Sequence, residues 1–541
     1  MAVSPTYPGV YVQEVDSGVR TVAGVPTSIA AFVGVAERGA VNEPVACFNF
    51  GDFTRRFGGL SSASTMSYCV EDFFANGGGQ CEIVRVFRPL AADDDSDAAN
   101  IKFADGRARL DMGTLQLRAT SPGTWGNSLE AWVEHPADDP ARAAIAAKYA
   151  VSGDDLFTLT VVDTSTGARE VHPNLVLAEA GGQRRFDRVL SETSQLVEFL
   201  PDGSSTPSFG VRPAAATLTD GAPDATKASG GNEGQAVNDE TLEGDQDTKT
   251  GMHALRRADI FNLLCIPPVD RGANVAKGLR EAAAKFCRER RALFIVDPPS
   301  AWDAIADTAA ATAKTSVAAG EIMALADADH AAIYFPRLRK RDPLRGGQVD
   351  TFPPCGAVAG IMARTDTQRG IFKSPAGLSA TVVGTEALTV KLTDDENGLL
   401  NPVAVNCLRT FPNIGRTVWG ARTLKGADQL SDDYKYVSVR RLALFIEESL
   451  FRGTQWAVFE GNDEPLWAQI RLSVGSFMQR LFLQGAFQGA SPKEAYFVKC
   501  DASTTTQDDI NRGIVNIVVG FAPLQPAEFV VISIQQIRNA A

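Results

Sequence analysis

Hydrophobic and polar positions along the 541-residue chain follow two different periods. Near the N-terminus SIAAFVGVA, Ser28 to Ala36, is an almost unbroken apolar run, and CEIVRVF from Cys81 is a second, β-rich one. Runs without alternation are the mark of strands covered on both faces. Between them SSASTMSYCVEDFFANGGG opens on cap-competent serines, puts Met66, Val70, Phe73 and Phe74 near one face of a helix, and stops at Gly77. From His253 the rhythm returns. ADIFNLLCIPPV, ALFIVDPP and HAAIYFP read as buried strands separated by the helix REAAAKFCRERR and by an alanine-rich helical stretch. Buried strands alternating with helices predict a mainly parallel, layered α/β sheet.

The last third is the most strongly patterned. Leu442, Phe445, Ile446 and Leu450 form one helical stripe within Val437 to Leu450, with Gly453 ending it. Leu466, Ile470, Val474, Phe477, Met478 and Leu481 form another within Glu464 to Gln484, with Gly485 after it. EAYFVKCD reads as a strand, TQDDINRG as a turn with helix-start character, and IVNIVVGFAP and AEFVVISIQQI as two further strands. Ala91 to about Pro223 differs: it is rich in Asp, Thr, Ser and Gly, and LQLRA, LEAWVE, LFTLTVVD and RRFDRVL predict a mainly β, peripheral insertion. Thr219 to Gly251 has almost no large apolar residues and reads as a long exposed loop. The predicted fold class is multidomain α/β (α+β), and the length corresponds to three or four domains at roughly 150 residues each.

One segment resists this scheme. In SPTYPGVYVQEV, Pro5 and Pro8 exclude a helix, and Val10, Tyr11, Val12, Gln13, Glu14 and Val15 read as a short strand with no hairpin turn leading to a partner. It is either the edge of its own domain or an arm that completes another subunit's sheet.

Charge and composition narrow the function. The chain carries 65 acidic and 52 basic residues, a net charge of -13, and has no Lys/Arg-rich tract. Phosphate neutralisation supplies most nucleic-acid affinity, so nucleic acid is set aside as a partner. No secretory signal opens the chain, and no window of eighteen consecutive apolar residues predicts a membrane span. Eight scattered cysteines without a CxxC fit reduced, buried thiols of a protein made in the cytoplasm.

Candidate chemistry is sparse. GDQDTKT, Gly244 to Thr250, approaches a phosphate loop, but Thr248 stands where the glycine before Lys249 is required. Asp93, Asp95 and Asp97 have calcium-loop spacing without the turn glycine, which Ala98 replaces, or the bidentate glutamate, which Ala104 replaces. Asp297, at the end of ALFIVD, occupies the strand-end position of many α/β catalytic carboxylates, although an Asp before two prolines also caps a turn. The four histidines lack metal-ligand spacing, and no nucleophile elbow occurs. The expectation is of no cofactor and no metal, with an α/β enzyme using Asp297 as the alternative.

Several stretches, in order, resemble the contractile tail sheath family of phage tails and injection systems. They are YPGVYVQEV, SIAAFVGVAERG with FGDFTRRFGG, DIFNLLCIPP, ALFIVDPP, HAAIYFPRLRKRDP, GAVAGIMARTDTQRGIFKSPAG, NPVAVNCLRTFPNIGRTVWGARTL, YKYVSVRRLALFIEESL, WAVFEGNDEPLW and PAEFVVISI. The resemblance covers roughly Pro8 to Gly58 and His253 to Ile534 and leaves out Ala91 to Pro223. It implies a helical homo-oligomer of six-subunit rings around an inner tube protein, bounded by baseplate and terminal cap proteins, without membrane insertion. Such a subunit would end in an assembled virion or phage-tail-like particle. It further implies that Val10–Val15 is an intersubunit arm, with Phe529, Val530, Val531, Ile532, Ser533 and Ile534 as its C-terminal counterpart. The tube would face the C-terminal domain, for which Gln469, Arg471, Ser473 and Arg480 on the Glu464–Gln484 helix are the candidates. The matching division is 1–20 as arm, 21–90 and 381–522 as two parts of an inner core, 91–223 as outer insertion, 224–251 as flexible loop, 252–380 as middle domain and 523–541 as strand arm.

Overall fold

The unalternating runs become the interior of one eight-stranded sheet. The computed structural model describes residues 20–90, 104–136, 140–177, 184–200, 212–220 and 222–531. Its largest sheet runs in the order 45–47, 81–85, 30–34, 263–265, 293–296, 331–335, 405–411, 415–418. The strands from 81–85 to 405–411 pair in parallel. The two outermost strands, Val45–Cys47 and Gly415–Val418, pair antiparallel with their neighbours. Register aligns Ala31, Leu264, Phe294 and Ala331 across one face, and Phe32, Cys265, Ile295 and Ala332 across the other. Each set enters a different core, which is why every position in these strands is apolar.

Helices Lys277–Arg290 and Ala309–Ala318 cover the first face through Leu279, Ala283, Phe286 and Ala313. Helices Thr65–Ala75 and Cys355–Arg369 cover the second. Ser64 caps the former, its side chain accepting from the Ser67 amide. These two helices approach until their backbones touch: a Cβ on Gly356 would lie 2.0 Å from the Cys69 carbonyl oxygen, and one on Gly360 2.4 Å from that of Phe73. The sheet draws strands from three segments set apart in the sequence division, 21–90, 252–380 and 381–522. The reason is physical, since a strand that is apolar on both faces needs neighbours along both edges as well as helices above and below.

The insertion has its own core. Strands 226–227, 129–134, 157–163 and 168–175 form one antiparallel sheet, and 109–112, 115–119 and 197–199 another. Leu110, Leu117, Leu129, Phe157, Leu159 and Leu190 pack between them. RRFDRVL, read above as a strand, is instead the start of helix Phe186–Thr193; Phe186, Val189 and Leu190 are buried at helical spacing. Residues 224–251 also depart from the expected loop. Thr226–Lys227 pairs with the 129–134 strand, Gln235 donates to the Arg88 carbonyl at 2.8 Å, and Leu242 on helix Asp239–Glu243 is buried. Backbone bonds and glycines packed against backbone hold this stretch in place, so it needs few apolar side chains. Arg85 ties the insertion to the sheet by donating to the carbonyls of Ala36 (2.9 Å), Gly39 (2.9 Å) and Pro122 (2.8 Å).

A fourth core lies between helices Val437–Gly453 and Glu464–Leu483, and all six residues of the second predicted stripe are buried in it.

Candidate assembly surfaces

The chain enters the described structure along the C-terminal helices. Val22 is fully buried in their core, and Gly453 leaves room for it, since a Cβ there would sit 2.6 Å from the Val22 side chain. The Val25 amide donates to Ser449 Oγ at 3.2 Å, and Arg480 donates to the Val22 carbonyl. The Arg20 guanidinium lies 5.0 Å from the centre of the Trp456 ring. Arg441 donates to the Thr27 carbonyl at 2.9 Å while holding both carboxylate oxygens of Asp366, at 2.9 and 2.6 Å. Asn262 then passes the segment to the sheet, accepting from the Ile29 amide and donating to the Pro26 carbonyl, both at 2.9 Å. Val10–Val15 lie outside the described residues.

The other end has an open sheet. Tyr496–Lys499 and Val518–Phe521 pair antiparallel, and among the described residues no other strand pairs with either. Among the described residues each strand therefore has one edge of amides and carbonyls without a strand partner. Beyond it the Leu524 amide donates to the Ala486 carbonyl at 3.2 Å. The Glu528 carboxylate then meets Arg422, and Phe529, Val530 and Val531 stand 75%, 81% and 87% exposed. Three consecutive large apolar side chains at that exposure form a patch that water does not favour. Among the described residues they carry no ladder, and Ile532, Ser533 and Ile534 lie outside that set.

The Glu464–Leu483 helix divides the four tube-facing candidates. Gln469 is exposed. Arg471 is half-buried, its guanidinium donating to the Cys500 carbonyl and to Glu464. Arg480 is exposed while holding Val22. Ser473 is 2% exposed and belongs to the core, a correction to the reading above. Its spacing of three and four from Ile470 and Phe477 carried that signal, which its polarity outweighed. Leu472 and Leu483 also stand exposed on this helix, at 53% and 73%, and as apolar residues they are not marked as contacts by polarity.

Comparison with known proteins identifies this arrangement. Residues 244–424 match the phage tail sheath protein central domain, and residues 429–537 match the phage tail sheath C-terminal domain. The chain belongs to the phage tail sheath family. The chain is similar to the tail sheath protein of Burkholderia phage BcepMu, 24% identical over 498 residues, 89% of this chain and 87% of that one. Against the tail sheath proteins of Salmonella phage ViI (27% identical over 159 residues) and Enterobacteria phage T4 (24% over 177), 29% and 32% of this chain is matched. Those two matches span only about a quarter of each relative, 24% and 25%. The fold is like that of the sheath of an extracellular contractile injection system, PVC, in its contracted state (TM-score 0.54, 20% identical, 99% of both chains). It is also like that of the sheath tail protein of Listeria innocua (TM-score 0.56, 15% identical, 93% and 96% of the two chains).

A sheath subunit is a structural protein, not an enzyme, and the surroundings of Asp297 agree with that. Its Oδ1 accepts from the amide of Cys355 at 2.9 Å, which fixes the first turn of the Cys355–Arg369 helix to the sheet. Oδ2 is enclosed without a hydrogen-bond partner, and burial pushes the carboxyl up to about 7 despite the hydrogen bonds from Cys355 and the charge of Arg337. The side chain thus tethers a helix inside the protein. The thiols of Cys69 and Cys355 lie 3.8 Å apart nearby, and all eight cysteines are buried and free. No helix among the described residues is long and apolar enough to cross a membrane.

The residues that sequence reasoning missed in this sheath protein are the buried arginines. Arg441 and Arg422 interrupt apolar surroundings, and a charge at an apolar position is the available signal for a buried pair. The partners, Asp366 and Glu528, are 75 and 106 positions away and could not be read locally.

Proposed function

We propose that this chain is the repeating subunit of a contractile sheath, polymerising helically as stacked six-membered rings around an inner tube and contracting from a metastable extended state to drive the tube through a target envelope. The ordered family match from 244 to 537 carries the reading. Identical subunits meeting through a heterologous contact that does not close on itself generate a helical filament, the symmetry a tube requires. Val10–Val15 and Phe529–Ile534 are the arms that join neighbours by strand addition. The edges of the 496–499 and 518–521 strands that have no partner among the described residues support this, since they offer main-chain groups of the kind such arms would fill. A main-chain ladder keeps subunits connected while their bodies rotate.

Contraction is then a rigid-body switch between two arrays, the contracted one lower in free energy, so no nucleotide need be hydrolysed at firing. The α/β body carries the load, the β insertion decorates the outside, and the C-terminal helices face the tube through Gln469, Arg471 and Arg480. The tube protein, a baseplate and a terminal cap are the partners. The subunit is made in the cytoplasm and functions in a virion or phage-tail-like particle.

Negative-stain electron microscopy of the full chain, with its tube protein, beside a variant lacking Met1–Ser17 tests the reading. Hollow cylinders from the full chain and dispersed, folded particles from the variant are expected. A full chain that stays monomeric with its tube protein present would overturn it.

A further inference from the structure

We propose that Arg422 and Glu528 form a latch that fixes the position and direction in which the C-terminal arm leaves the subunit, and so sets the register of its strand in the neighbour. This rests on the reading of Phe529–Ile534 as an intersubunit arm.

Arg422 is completely buried and is itself held rigidly. Its amide donates to Asn406 Oδ1 at 2.6 Å, and its carbonyl accepts from Asn406 Nδ2 at 2.7 Å. The same Nδ2 donates to the Ile333 carbonyl at 3.0 Å, so the arginine backbone is fixed to two adjacent strands of the central sheet. On the guanidinium, Nη1 is used by the Asn401 carbonyl at 2.8 Å and by Asp428 at 3.0 Å. That leaves Nε and Nη2, which donate to the two carboxylate oxygens of Glu528 at 2.9 and 2.5 Å. Tyr436 donates its hydroxyl to Glu528 Oε2 at 3.4 Å. A bidentate guanidinium–carboxylate pair admits one relative orientation, unlike a point contact from lysine.

The tail is therefore held at two places on two bodies. The Leu524 amide ties it to Ala486 in the C-terminal unit, and Glu528 ties it to the central sheet. Three residues, Gln525 to Ala527, span the gap, and Phe529 is the first residue beyond it. Opening the latch would release the stretch back to Leu524, adding about 13 Å of slack at roughly 3.3 Å per residue. Slack of that size matters because a slip of one residue turns every side chain of an added strand to the opposite face. Phe529, Val530 and Val531 would then present the wrong side chains to the neighbour's core.

Three variants separate this proposal from the arm reading: Glu528→Ala, Glu528→Gln, which keeps the shape and one acceptor, and a chain ending at Glu528. Limited proteolysis of the soluble subunit reads the latch directly. Cleavage after 524 is expected to be at least tenfold faster in Glu528→Ala, with the remaining chain intact, and intermediate in Glu528→Gln. Electron microscopy of polymers then reads the consequence. The shortened chain is expected not to polymerise, and Glu528→Ala to give cylinders of irregular helical order or at least tenfold lower yield. If the shortened chain fails to polymerise while both Glu528 variants resist protease and form cylinders like the unaltered chain, the latch is wrong and the arm reading stands. If the shortened chain polymerises normally, the arm reading falls and the latch with it.

Discussion

Replacing Asp297 by asparagine should flatten part of the pH dependence of the central sheet. Unfolded, this aspartate ionises near its ordinary value of 3.8; folded, burial pushes it up to about 7. Between those values the folded chain keeps a proton that the unfolded chain has lost, so stability falls as pH rises from about 4 to 7 and levels off above that. The gap corresponds to about 4 kcal/mol at roughly 1.4 kcal/mol per pH unit, an upper bound because water entry and relaxation soften burial. Asparagine keeps the acceptor for the Cys355 amide and cannot ionise. Its NH2 group would occupy the position of the unpartnered Oδ2, at a cost of about 1–3 kcal/mol that does not vary with pH. Asp72, pushed up to about 6 by burial beside Lys340, titrates in the same window in both chains and cancels in the comparison. The assay is hydrogen exchange of peptides covering 293–296 and 355–369, converted to opening free energies at pH 5, 6, 7 and 8 after correction for intrinsic exchange. Wild type should lose at least 1 kcal/mol more than Asp297→Asn across that range. Parallel pH profiles would refute the account of an enclosed carboxyl that is protonated when folded.

Two further outcomes follow from the geometry. Gly356→Ala would drive a Cβ to 2.0 Å from a backbone oxygen, against 3.4–4 Å for ordinary contact. Thermal unfolding should register a loss of about 2–3 kcal/mol from overpacking. Gly475→Ala, at a helical position with nothing within 4 Å, should gain up to about 1 kcal/mol, so equal effects at the two glycines would refute the close-packing argument. Charge reversal at Arg471 should impair co-assembly with the tube protein in a pelleting assay while circular dichroism stays unchanged; normal co-assembly would remove its tube-facing assignment.

Local pattern was enough for the elements. Unalternating runs marked the buried strands, Ser64 and Gly77 bounded one helix, and the stripe from Leu466 to Leu481 marked the inner face of another. These readings need only neighbours within a turn or a pleat, because burial and helical or strand period are written in consecutive residues. The failures had the same origin. RRFDRVL was short enough to fit either period, Ser473 was judged by polarity rather than spacing, and residues 224–251 are held by backbone contacts that composition does not record.

By itself the sequence determined most of the strands and helices, which of their faces are apolar, and the family to which their ordered motifs belong. Tertiary structure alone decided who meets whom: Ile29 with Asn262, 233 positions away, Asp297 with the start of the 355–369 helix, and Glu528 with Arg422. Burial preference is a property of a side chain and its period, whereas a bidentate pair or a backbone-to-backbone helix crossing exists only once distant segments have closed on each other.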